Sequence, residues 1–353
     1  MEKEFKHIQA AHCENGVATS LLRYHGMDFI SEPLVFGIGS GLFYIHIPFL
    51  LINGGPAISY RTMPGFIFSR ASKLLGLNVT RKKFTNEAAA KEFLDQKAKL
   101  GIPVGCQVGV FNLPYFPPEY RFHFNAHNLI VYGKEGNDYL VSDPVMETVT
   151  KLSEQDMLKV RFAKGPFAPK GQTYFPENIN KVSEENLRKA IIKGIKRNSR
   201  DMLYVPGPIA GVAGINFTAG RIRKWREKLG AKKAALYLGQ IVRMQEEIGT
   251  GGGGFRFIYA AFLEQSAGIL QEDKLTLVSD EFTKAGDLWR ASAVQMGRIY
   301  KGRLDEQKYY EECADCKLVD EKKERTMKRT KNSMITGKAA VNPFFKTPTT
   351  TVF

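Results

Sequence analysis

The feature that most constrains this chain is a long stretch without charge, since the sequence has no Asp, Glu, Lys or Arg from Pro33 to Tyr60. Leu34 to Ile52 alone is long enough to cross a bilayer as a helix. Against a membrane helix stand three alternating glycines, a histidine and a proline inside the stretch, and the turn sequence Asn-Gly-Gly-Pro at residues 53–56. We therefore predict short strands and turns that are buried on both faces of a soluble core, and no membrane span.

The composition is that of a globular chain able to bury a large core. The 353 residues are 43% hydrophobic and 25% charged, which excludes a disordered, collagen-like or coiled-coil protein. Lys and Arg outnumber Asp and Glu by 51 to 36, and the resulting net charge of +15 favours acidic partners. Because no nucleic-acid-binding motif accompanies this charge, we expect no nucleic-acid partner. The N-terminus does not resemble a signal peptide, so we expect a cytoplasmic protein with free thiols.

Helix and strand patterns predict an α+β region followed by a mostly α-helical one. Helices are expected over residues 13–25, 69–77 and 86–100, and short runs rich in Val, Ile and Tyr between 103 and 144 indicate an antiparallel sheet. The proline-rich residues 163–180 are typical of a connector, and helix-like segments follow it.

This pattern predicts three parts of the chain. The first domain is expected at residues 1–165 and a helical domain at 180–317. The last part, 318–353, is rich in Lys, Arg and Thr without apolar periodicity, which predicts a basic, loosely ordered tail.

Cys13 is the first candidate for a reactive residue. It begins the first predicted helix, where unpaired backbone N–H groups and the helix dipole favour a thiolate over a thiol. A buried structural thiol is the alternative interpretation of the same position.

Residues 127–143 predict a hairpin that would supply partners for such a thiolate. One strand begins at His127 and the returning strand ends at Asp143. If Lys134 pairs with Asp138, Asp143 is the diagonal cross-strand neighbour of His127. The carboxylate could then orient the imidazole, and the imidazole could take the thiol proton, although a register shift of one residue would break this geometry. Taken alone, each residue could equally be a strand-edge histidine or a turn aspartate.

The order of a helix cysteine, a strand histidine and an aspartate on the next strand resembles that of papain-like cysteine enzymes. It is most similar to the bacteriocin-processing peptidases, in which a glutamine several residues before the cysteine supplies an oxyanion donor. Gln9 precedes Cys13 by four residues, closer than in that pattern, and His12 is directly adjacent. Gln9 and His12 are therefore the candidates for contacting a substrate beside the thiol.

Two neighbouring motifs narrow the resemblance. The segment HCENGVATSLLRYHG at residues 12–26 is followed by Ser-Glu-Pro at 31–33 and by Phe-Gly-x-Gly-x-Gly at 36–41. Together with the later AHNLIVYG and VSDP, these motifs resemble the butirosin biosynthesis protein H family. GPIAGVAGINFTAGRIRKW and GTGGGGFRFIYAAFLEQSA are similar to the helical domain often fused to it. The resemblance covers approximately residues 1–310 and leaves the tail unmatched.

The resemblance implies a papain-like first domain and an acyltransferase of antibiotic or other specialised metabolism. The family's named member moves an aminoacyl group from an acyl carrier protein thioester to an amine of an aminoglycoside. For this chain it implies Cys13 as nucleophile, His127 as base and Asp143 as the orienting carboxylate. The implied partners are an acyl carrier protein and a small-molecule amine, with no cofactor. Thioester exchange at a thiolate agrees with this chemistry, provided that water is kept out.

Three residues near the first motifs are candidates for the substrate pocket. Gly39 and Gly41 belong to the uncharged stretch, which could shape an acyl pocket or simply be tightly packed core. Glu32 could be a buried polar anchor near the site or a loop residue.

A second glycine-rich segment, residues 249–254, leads into a predicted helix. The N–H groups of Gly252 and Gly253, together with Arg256, could bind a phosphate or a carboxylate. A flexible hinge between helices is the alternative, because the segment matches neither a Walker loop nor a dinucleotide fingerprint.

Other functions and sites stay open at this stage. A cysteine peptidase or amidase would use the same triad but admit water, and a noncatalytic binding protein on a papain-like scaffold would need no reactive thiol. Cys313 and Cys316 have metal-like spacing, but no second Cys or His pair lies nearby, so we expect no metal site. The sequence leaves the acyl group, the acceptor and a homo-oligomer undetermined.

Overall fold

The structure is a computed structural model that describes residues 4–52, 54–177, 182–304 and 306–315. The predicted tail at 318–353 and Cys316 lie outside the described residues. Helices and strands alternate in the first half of the chain, in the order α1 (Cys13–Tyr24), α2 (Glu32–Ile38), β1 (Leu42–Ile52), β2 (Gly55–Arg61), α3 (Phe66–Leu74), β3 (Val79–Lys82), α4 (Glu87–Lys99), β4 (Val104–Val108), β5 (His127–Glu135), β6 (Asp138–Ser142), β7 (Thr150–Ser153), α5 (Glu154–Arg161) and β8 (Thr173–Pro176).

Helices follow in the second half. They are α6 (Glu184–Leu203), α7 (Gly211–Leu229), α8 (Ala231–Val242), α9 (Arg256–Leu270) and α10 (Lys274–Tyr300), and residues 307–315 are also helical. A π-helical turn, Arg243–Glu247, extends α8, and a 3-10 turn, Gly253–Phe255, precedes α9. The predicted α+β class with a helical second part is confirmed.

Six strands form one antiparallel sheet in the order β3-β8-β4-β5-β6-β7. The predicted strands between residues 103 and 144 correspond to β4, β5 and β6. Strand β8 lies inside the segment 163–180, which the sequence assigns to a connector, and it pairs with both β3 and β4. Its four residues are too few to show an alternating pattern among the surrounding prolines and glycines, so the sequence gives no strand signal there.

The sheet separates two hydrophobic cores. Because side chains alternate along β5, Ile130 faces the core that contains α1, α2 and the helices α6 to α10, while Leu129 and Val131 face the core shared with α4 and α5. The first core therefore joins residues from both halves of the chain, including Phe36 and Trp289. The division into domains at 1–165 and 180–317 stays a prediction.

The uncharged stretch forms a helix and a hairpin. Ser31 caps α2 by accepting the Leu34 N–H at 3.3 Å, and β1 pairs with β2 as a separate two-stranded sheet. Burial on both faces was expected for the whole stretch, but it is wrong for the tip of the hairpin, where Phe49 is 86% exposed. Apolar composition does not reveal how far a hairpin extends beyond the core. Among the described residues, no helix is both long and apolar enough to cross a membrane.

Close approach of helices explains a glycine at the end of α2. A Cβ added to Gly37 would lie 2.1 Å from the ring of Phe262 on α9. The Gly37 carbonyl also accepts a 2.9 Å hydrogen bond from the Asn198 side chain on α6. Only a residue without a side chain fits where these three helices meet.

We predict that Gly37→Ala lowers the free energy of unfolding by about 1–3 kcal/mol, because the added methyl group overpacks the contact between α2 and α9. The matched control is Gly268→Ala on α9, where an added Cβ meets nothing within 4 Å. That control should be neutral or stabilising by up to about 1 kcal/mol. Urea unfolding of both variants tests the prediction, and equal stability of the two would contradict it.

Candidate active site

Cys13 lies at the N-terminus of α1, as the sequence predicts. His12 is the N-cap residue, and its imidazole Nδ1 accepts the Asn15 N–H at 3.4 Å. The Cys13 side chain is only 7% exposed. The first turn of a helix concentrates backbone N–H groups without helical partners, which stabilise negative charge on the sulfur.

The hairpin of β5 and β6 brings His127 and Asp143 together despite an unpredicted irregularity. Next to the turn the register differs from the predicted one, because Glu135 pairs with Asp138. A β-bulge between Val131 and Gly133 then shifts the register by one residue. From that point toward His127 the strands have the predicted register, so the diagonal relationship between His127 and Asp143 is retained.

Asp143 holds the imidazole through a short hydrogen bond. The distance from His127 Nε2 to Asp143 Oδ2 is 2.7 Å. The same carboxylate oxygen accepts the Tyr115 hydroxyl at 2.7 Å, and Oδ1 accepts the Val145 N–H at 3.2 Å. Asp143 is completely buried, so these three donors replace the water that a carboxylate would otherwise bind.

The imidazole of His127 also lies beside the Cys13 thiol, and each of the two groups shifts the pKa of the other. Since Nε2 is engaged by Asp143, Nδ1 is the ring nitrogen left for the sulfur. The three predicted residues therefore form one connected chain of thiol, imidazole and carboxylate, which is the geometry that activates a nucleophilic cysteine.

The charges of Cys13, His127 and Asp143 shift the pKa values of the thiol and of the imidazole. Burial alone would lower the pKa of His127, but the Asp143 and Cys13 charges and hydrogen bonds outweigh burial and raise it above its usual range. Burial alone would raise the pKa of the Cys13 thiol, but the His127 charge and hydrogen bond and the Arg61 guanidinium outweigh burial and lower it. The site therefore favours a thiolate paired with an imidazolium.

Glu14 was not predicted as a site residue, yet it fixes the start of α1. Its carboxylate, which is buried, pairs with Arg61 at 2.8 Å and accepts the backbone N–H groups of Gly65 at 3.0 Å and Phe68 at 3.3 Å. These contacts join α1 to the end of β2 and the start of α3. Glu14 directly follows Cys13 in the His-Cys-Glu motif, and that adjacency is the sequence signal for its position.

Glu32 lies close to the site as a polar anchor. Its two carboxylate oxygens accept the backbone N–H groups of Ala11 at 3.0 Å and His12 at 2.8 Å. Burial raises the pKa of Glu32, although these two hydrogen bonds oppose the rise. Glu32 thus fixes the backbone that leads into Cys13, and its predicted contact with substrate stays a prediction.

The segment before Cys13 is also tied to the segment that follows β6. The Ala10 N–H donates to the Pro144 carbonyl at 2.7 Å, and the His7 imidazole bonds the Ser142 hydroxyl at 2.8 Å. Gln9 is exposed in this segment, and no contact among the described residues joins it to Cys13. The structure therefore does not bring Gln9 to the sulfur, because the helix begins only four residues later.

Asn128 contacts the sulfur instead, and sequence reasoning missed it. Its side-chain amide lies 3.8 Å from Cys13 Sγ and also donates to the Ala126 carbonyl at 3.0 Å. Its carbonyl oxygen accepts the Tyr174 hydroxyl at 2.7 Å, which fixes the orientation of the amide. The only sequence signal for Asn128 is its place after His127 in the motif AHN.

Gly39 and Gly41 lie in close packing. A Cβ at Gly39 would lie 2.4 Å from the Ile67 carbonyl oxygen, and a Cβ at Gly41 would lie 2.3 Å from the Phe36 ring. Both glycines are buried. Packing therefore explains these glycines without a substrate, which is the second of the two interpretations that the sequence allows.

The structure does not assemble Gly252, Gly253 and Arg256 into an anion site. The Gly252 N–H donates to the Thr250 hydroxyl at 3.0 Å, and the Gly253 N–H donates to the Glu246 carboxylate at 3.0 and 3.2 Å. The buried Arg256 guanidinium lies 3.5 Å from the centre of the Trp289 ring. The chain's own groups thus occupy the donors that the sequence assigned to an anion.

This glycine-rich loop nevertheless borders the site. The rings of Phe255 and His12 meet edge to face with their centroids 5.2 Å apart. A Cβ on Gly251 would lie 3.3 Å from the Cβ of Ala11. The helical half of the chain therefore contacts the residues that lead into Cys13.

A metal site finds no support among residues 4–52, 54–177, 182–304 and 306–315. No group of three or more His, Cys, Asp and Glu side chains in those ranges is arranged to hold an ion. Cys313 is buried there, and its motif partner Cys316 is outside them.

We predict that Tyr115→Phe lowers the free energy of unfolding by about 1–3 kcal/mol, because the buried Asp143 carboxylate loses one of its three donors. Tyr120→Phe is the matched control, since Tyr120 lies in the same connection between β4 and β5 but is half exposed. Urea unfolding at neutral pH measures both. A loss of equal size in the two variants would show that the hydroxyl of Tyr115 is not required by Asp143.

Comparison with known proteins finds that the two halves of the chain match two different family models. Residues 12–144 match the N-terminal domain of butirosin biosynthesis protein H, and residues 155–329 match a domain of unknown function, DUF4872. None of the curated proteins compared with the chain is significantly similar to it. A crystal structure from Bacillus anthracis, described as that of a C39-like peptidase, is 14% identical, with a TM-score of 0.33, and the match covers 51% of this chain and 97% of that one. The first part of the chain is therefore similar to the N-terminal domain of butirosin biosynthesis protein H over residues 12–144.

Proposed function

We propose that this protein is a cysteine-dependent acyl or aminoacyl transferase of specialised metabolism. It would take an acyl group from an acyl carrier protein thioester and pass it to the amine of a small molecule. The observation that carries the proposal is the buried chain of Cys13, His127 and Asp143, in which the Asp143 carboxylate lies 2.7 Å from the imidazole. The match of residues 12–144 to the N-terminal domain of butirosin biosynthesis protein H supports the type of reaction.

The first half-reaction loads the enzyme. The Cys13 thiolate attacks the thioester carbonyl and forms a new carbon–sulfur bond, and negative charge moves to the carbonyl oxygen. Collapse of this intermediate breaks the bond to the pantetheine sulfur, and His127 gives its proton to the departing thiolate. The acyl group is then held on Cys13, and His127 is neutral.

The second half-reaction transfers the acyl group. The acceptor amine attacks the acyl carbonyl on Cys13 while the neutral His127 removes a proton from the nitrogen. The carbon–sulfur bond breaks, and the thiolate and imidazolium pair is restored. Asp143 stays ionised throughout and stabilises the positive imidazole, which is the role of the carboxylate in a catalytic triad.

The oxyanion of both steps needs hydrogen-bond donors close to the sulfur. We assign this role to the backbone N–H groups in the first turn of α1 and to the Asn128 side-chain amide, which already lies 3.8 Å from Cys13 Sγ. The Tyr174 hydroxyl holds the Asn128 amide from its other side, so the donor is oriented before the substrate arrives.

Burial of the reacting groups supports transfer over hydrolysis. Cys13 is 7% exposed and His127 is 5% exposed, so water has little access to an acyl group on the sulfur. An acceptor amine bound in place would then compete well against water. A hydrolase would use the same three side chains. The two activities differ in whether an amine or water attacks the acyl group on Cys13.

A carrier protein fits the charge of the chain. Carrier proteins present acidic helices, and this protein has a net charge of +15. The basic segment at the end of α7 exposes Arg221 and Lys224 while Trp225 is buried in the core. The exposed charges are available to an acidic partner.

We expect an acyl adduct on Cys13 when the protein is incubated with acyl-pantetheine thioesters. Intact-protein mass and peptide mapping detect it, and Cys13→Ala should show none. Added amines should discharge the adduct faster than water does if the protein is a transferase. Rapid discharge by water alone would indicate a hydrolase, and a complete lack of adduct would indicate a noncatalytic protein.

The coupled pKa shifts predict how alkylation of Cys13 depends on pH. Because its thiol pKa is lowered, Cys13 should react with iodoacetamide at pH 7 and lose reactivity only as the pH falls below that lowered pKa. In His127→Ala the burial of the thiol is no longer opposed by an imidazolium, so the rate at pH 7 should fall about tenfold or more and recover at alkaline pH.

Cys106 provides an internal control for this experiment. Burial raises its thiol pKa to about 11, so it should stay unlabelled at pH 7 in the folded protein. Peptide mapping separates the two cysteines in one sample. If wild type and His127→Ala label Cys13 at the same rate at pH 7, His127 does not activate the thiol.

A further inference from the structure

A cavity of about 320 Å³ opens between α3, α6 and the chain that follows α6, apart from the site around Cys13. Phe43 and Tyr204 supply apolar walls, and Thr62, Arg70, Arg200 and Asp201 supply polar ones. The volume lies at the lower end of the range for small-ligand pockets. A mainly apolar site with a few convergent polar groups is typical of specific ligand binding.

Positive charge exceeds negative charge around this cavity. Asp201 is the only acidic residue in its lining, and it pairs with Arg200 at 3.0 Å and with the neighbouring Arg197 at 3.4 Å. The lining itself carries two positive charges, Arg70 and Arg200, and one negative charge, and the neighbouring Arg197 outside the lining raises the excess from one to two. Burial, together with the charges of Arg197 and Arg200, lowers the pKa of Arg70, and the charges of Asp201 and Glu14 oppose this shift.

Arg70 is held in position with donors to spare. Its Nη1 donates to the Ser40 carbonyl at 3.4 Å and to the Thr62 hydroxyl at 3.1 Å, and the Phe66 ring lies 4.9 Å from the guanidinium carbon. Within the part of the chain that the structure describes, these are its hydrogen bonds, so Nε and Nη2 remain for a ligand. A fixed guanidinium with free donors binds an anion with little loss of side-chain entropy.

We propose that this cavity binds a phosphate group carried by a small molecule or by a prosthetic arm. A phosphate ester carries about −1.5 to −2 charges at pH 7 and three acceptor oxygens, which match the excess of positive charge and the Nε and Nη2 donors of Arg70. Arg200 donates from Nε and Nη2 to Asp201 at 3.1 and 3.0 Å, so it contributes its positive charge and its Nη1 donor. Guanidinium groups bind phosphate through paired hydrogen bonds. The apolar walls then contact the organic part of the ligand.

The cavity lies next to the segment that supports the nucleophile. Thr62 directly follows Arg61, whose guanidinium pairs with Glu14 beside Cys13. Two sources of phosphate therefore have the required chemistry: the phosphopantetheine arm of the proposed carrier protein and a free phosphorylated metabolite. The cavity itself does not depend on the proposed acyl transfer.

Calorimetric titration at constant ionic strength tests the proposal with three probes: inorganic phosphate, 4′-phosphopantetheine and pantetheine. We expect the two phosphate-bearing probes to bind and pantetheine not to bind. Arg70→Gln and Arg200→Gln should each weaken binding of the phosphate-bearing probes about tenfold or more, since each removes a charge-assisted hydrogen bond. Lys193→Gln is the matched control, because Lys193 is an exposed cation on α6 outside the lining.

The comparison of probes also distinguishes the two sources of phosphate, and the second arginine variant is a control for misfolding of the first. Tighter binding of phosphopantetheine than of inorganic phosphate would identify the arm, and equal binding would identify a free phosphate. Arg200 is 60% exposed, so Arg200→Gln should fold even if Arg70→Gln does not. Cys13→Ala should bind phosphate like wild type, which separates this cavity from the acyl-transfer site. Unchanged binding in both arginine variants, equal binding of pantetheine, or no binding at all would overturn the proposal.

Discussion

The structure depends above all on the burial of helix α1 on every side. Ten consecutive residues, from Cys13 to Leu22, are buried, so the helix must have neighbours around its whole circumference. Its core residues lie with α2, α3 and the helical half of the chain, and Ile130 and Tyr174 contribute to the same core from the sheet. A helix confined in this way cannot shift without opening a core, which fixes the sulfur relative to the strand that carries His127.

Three carboxylates, of which Glu14 and Asp143 are buried and Glu32 is partly buried, then determine where Cys13 and His127 lie. Each would be costly to bury alone, and each has partners that compensate: Glu14 has Arg61, Glu32 has two backbone N–H groups, and Asp143 has His127, Tyr115 and the Val145 N–H. The first two fix the start of α1, and the third fixes the imidazole. The sequence motifs His-Cys-Glu and Ser-Glu-Pro thus supply, besides the thiol, the charges that hold it in place.

Much of the candidate site could be predicted from local patterns. A helix start at Cys13 and strands at His127 and Asp143 follow from residues close in the sequence. The bulge near Gly133 could not be predicted, because a bulge depends on how both strands pack. The bulge cancels the one-residue difference in register at the turn, and this is why His127 and Asp143 are still diagonal neighbours. Asn128 and Tyr115 were missed for a related reason: they reach the site through tertiary contacts that no spacing in the sequence encodes.

The loop before α9 shows how a correct local pattern can lead to a wrong ligand. Gly252 and Gly253 have φ values of 84° and 57°, which favour glycine and turn the backbone N–H groups inward. The sequence indicates that such a turn has backbone N–H donors, but it does not indicate their acceptors. Here the acceptors are two side chains of the same protein, Thr250 and Glu246. The glycines therefore form a tight turn that places the ring of Phe255 in contact with the ring of His12. Because Phe255, a residue of the helical half, thus contacts His12, the N-cap residue of α1, a displacement of that half would change the surroundings of Cys13.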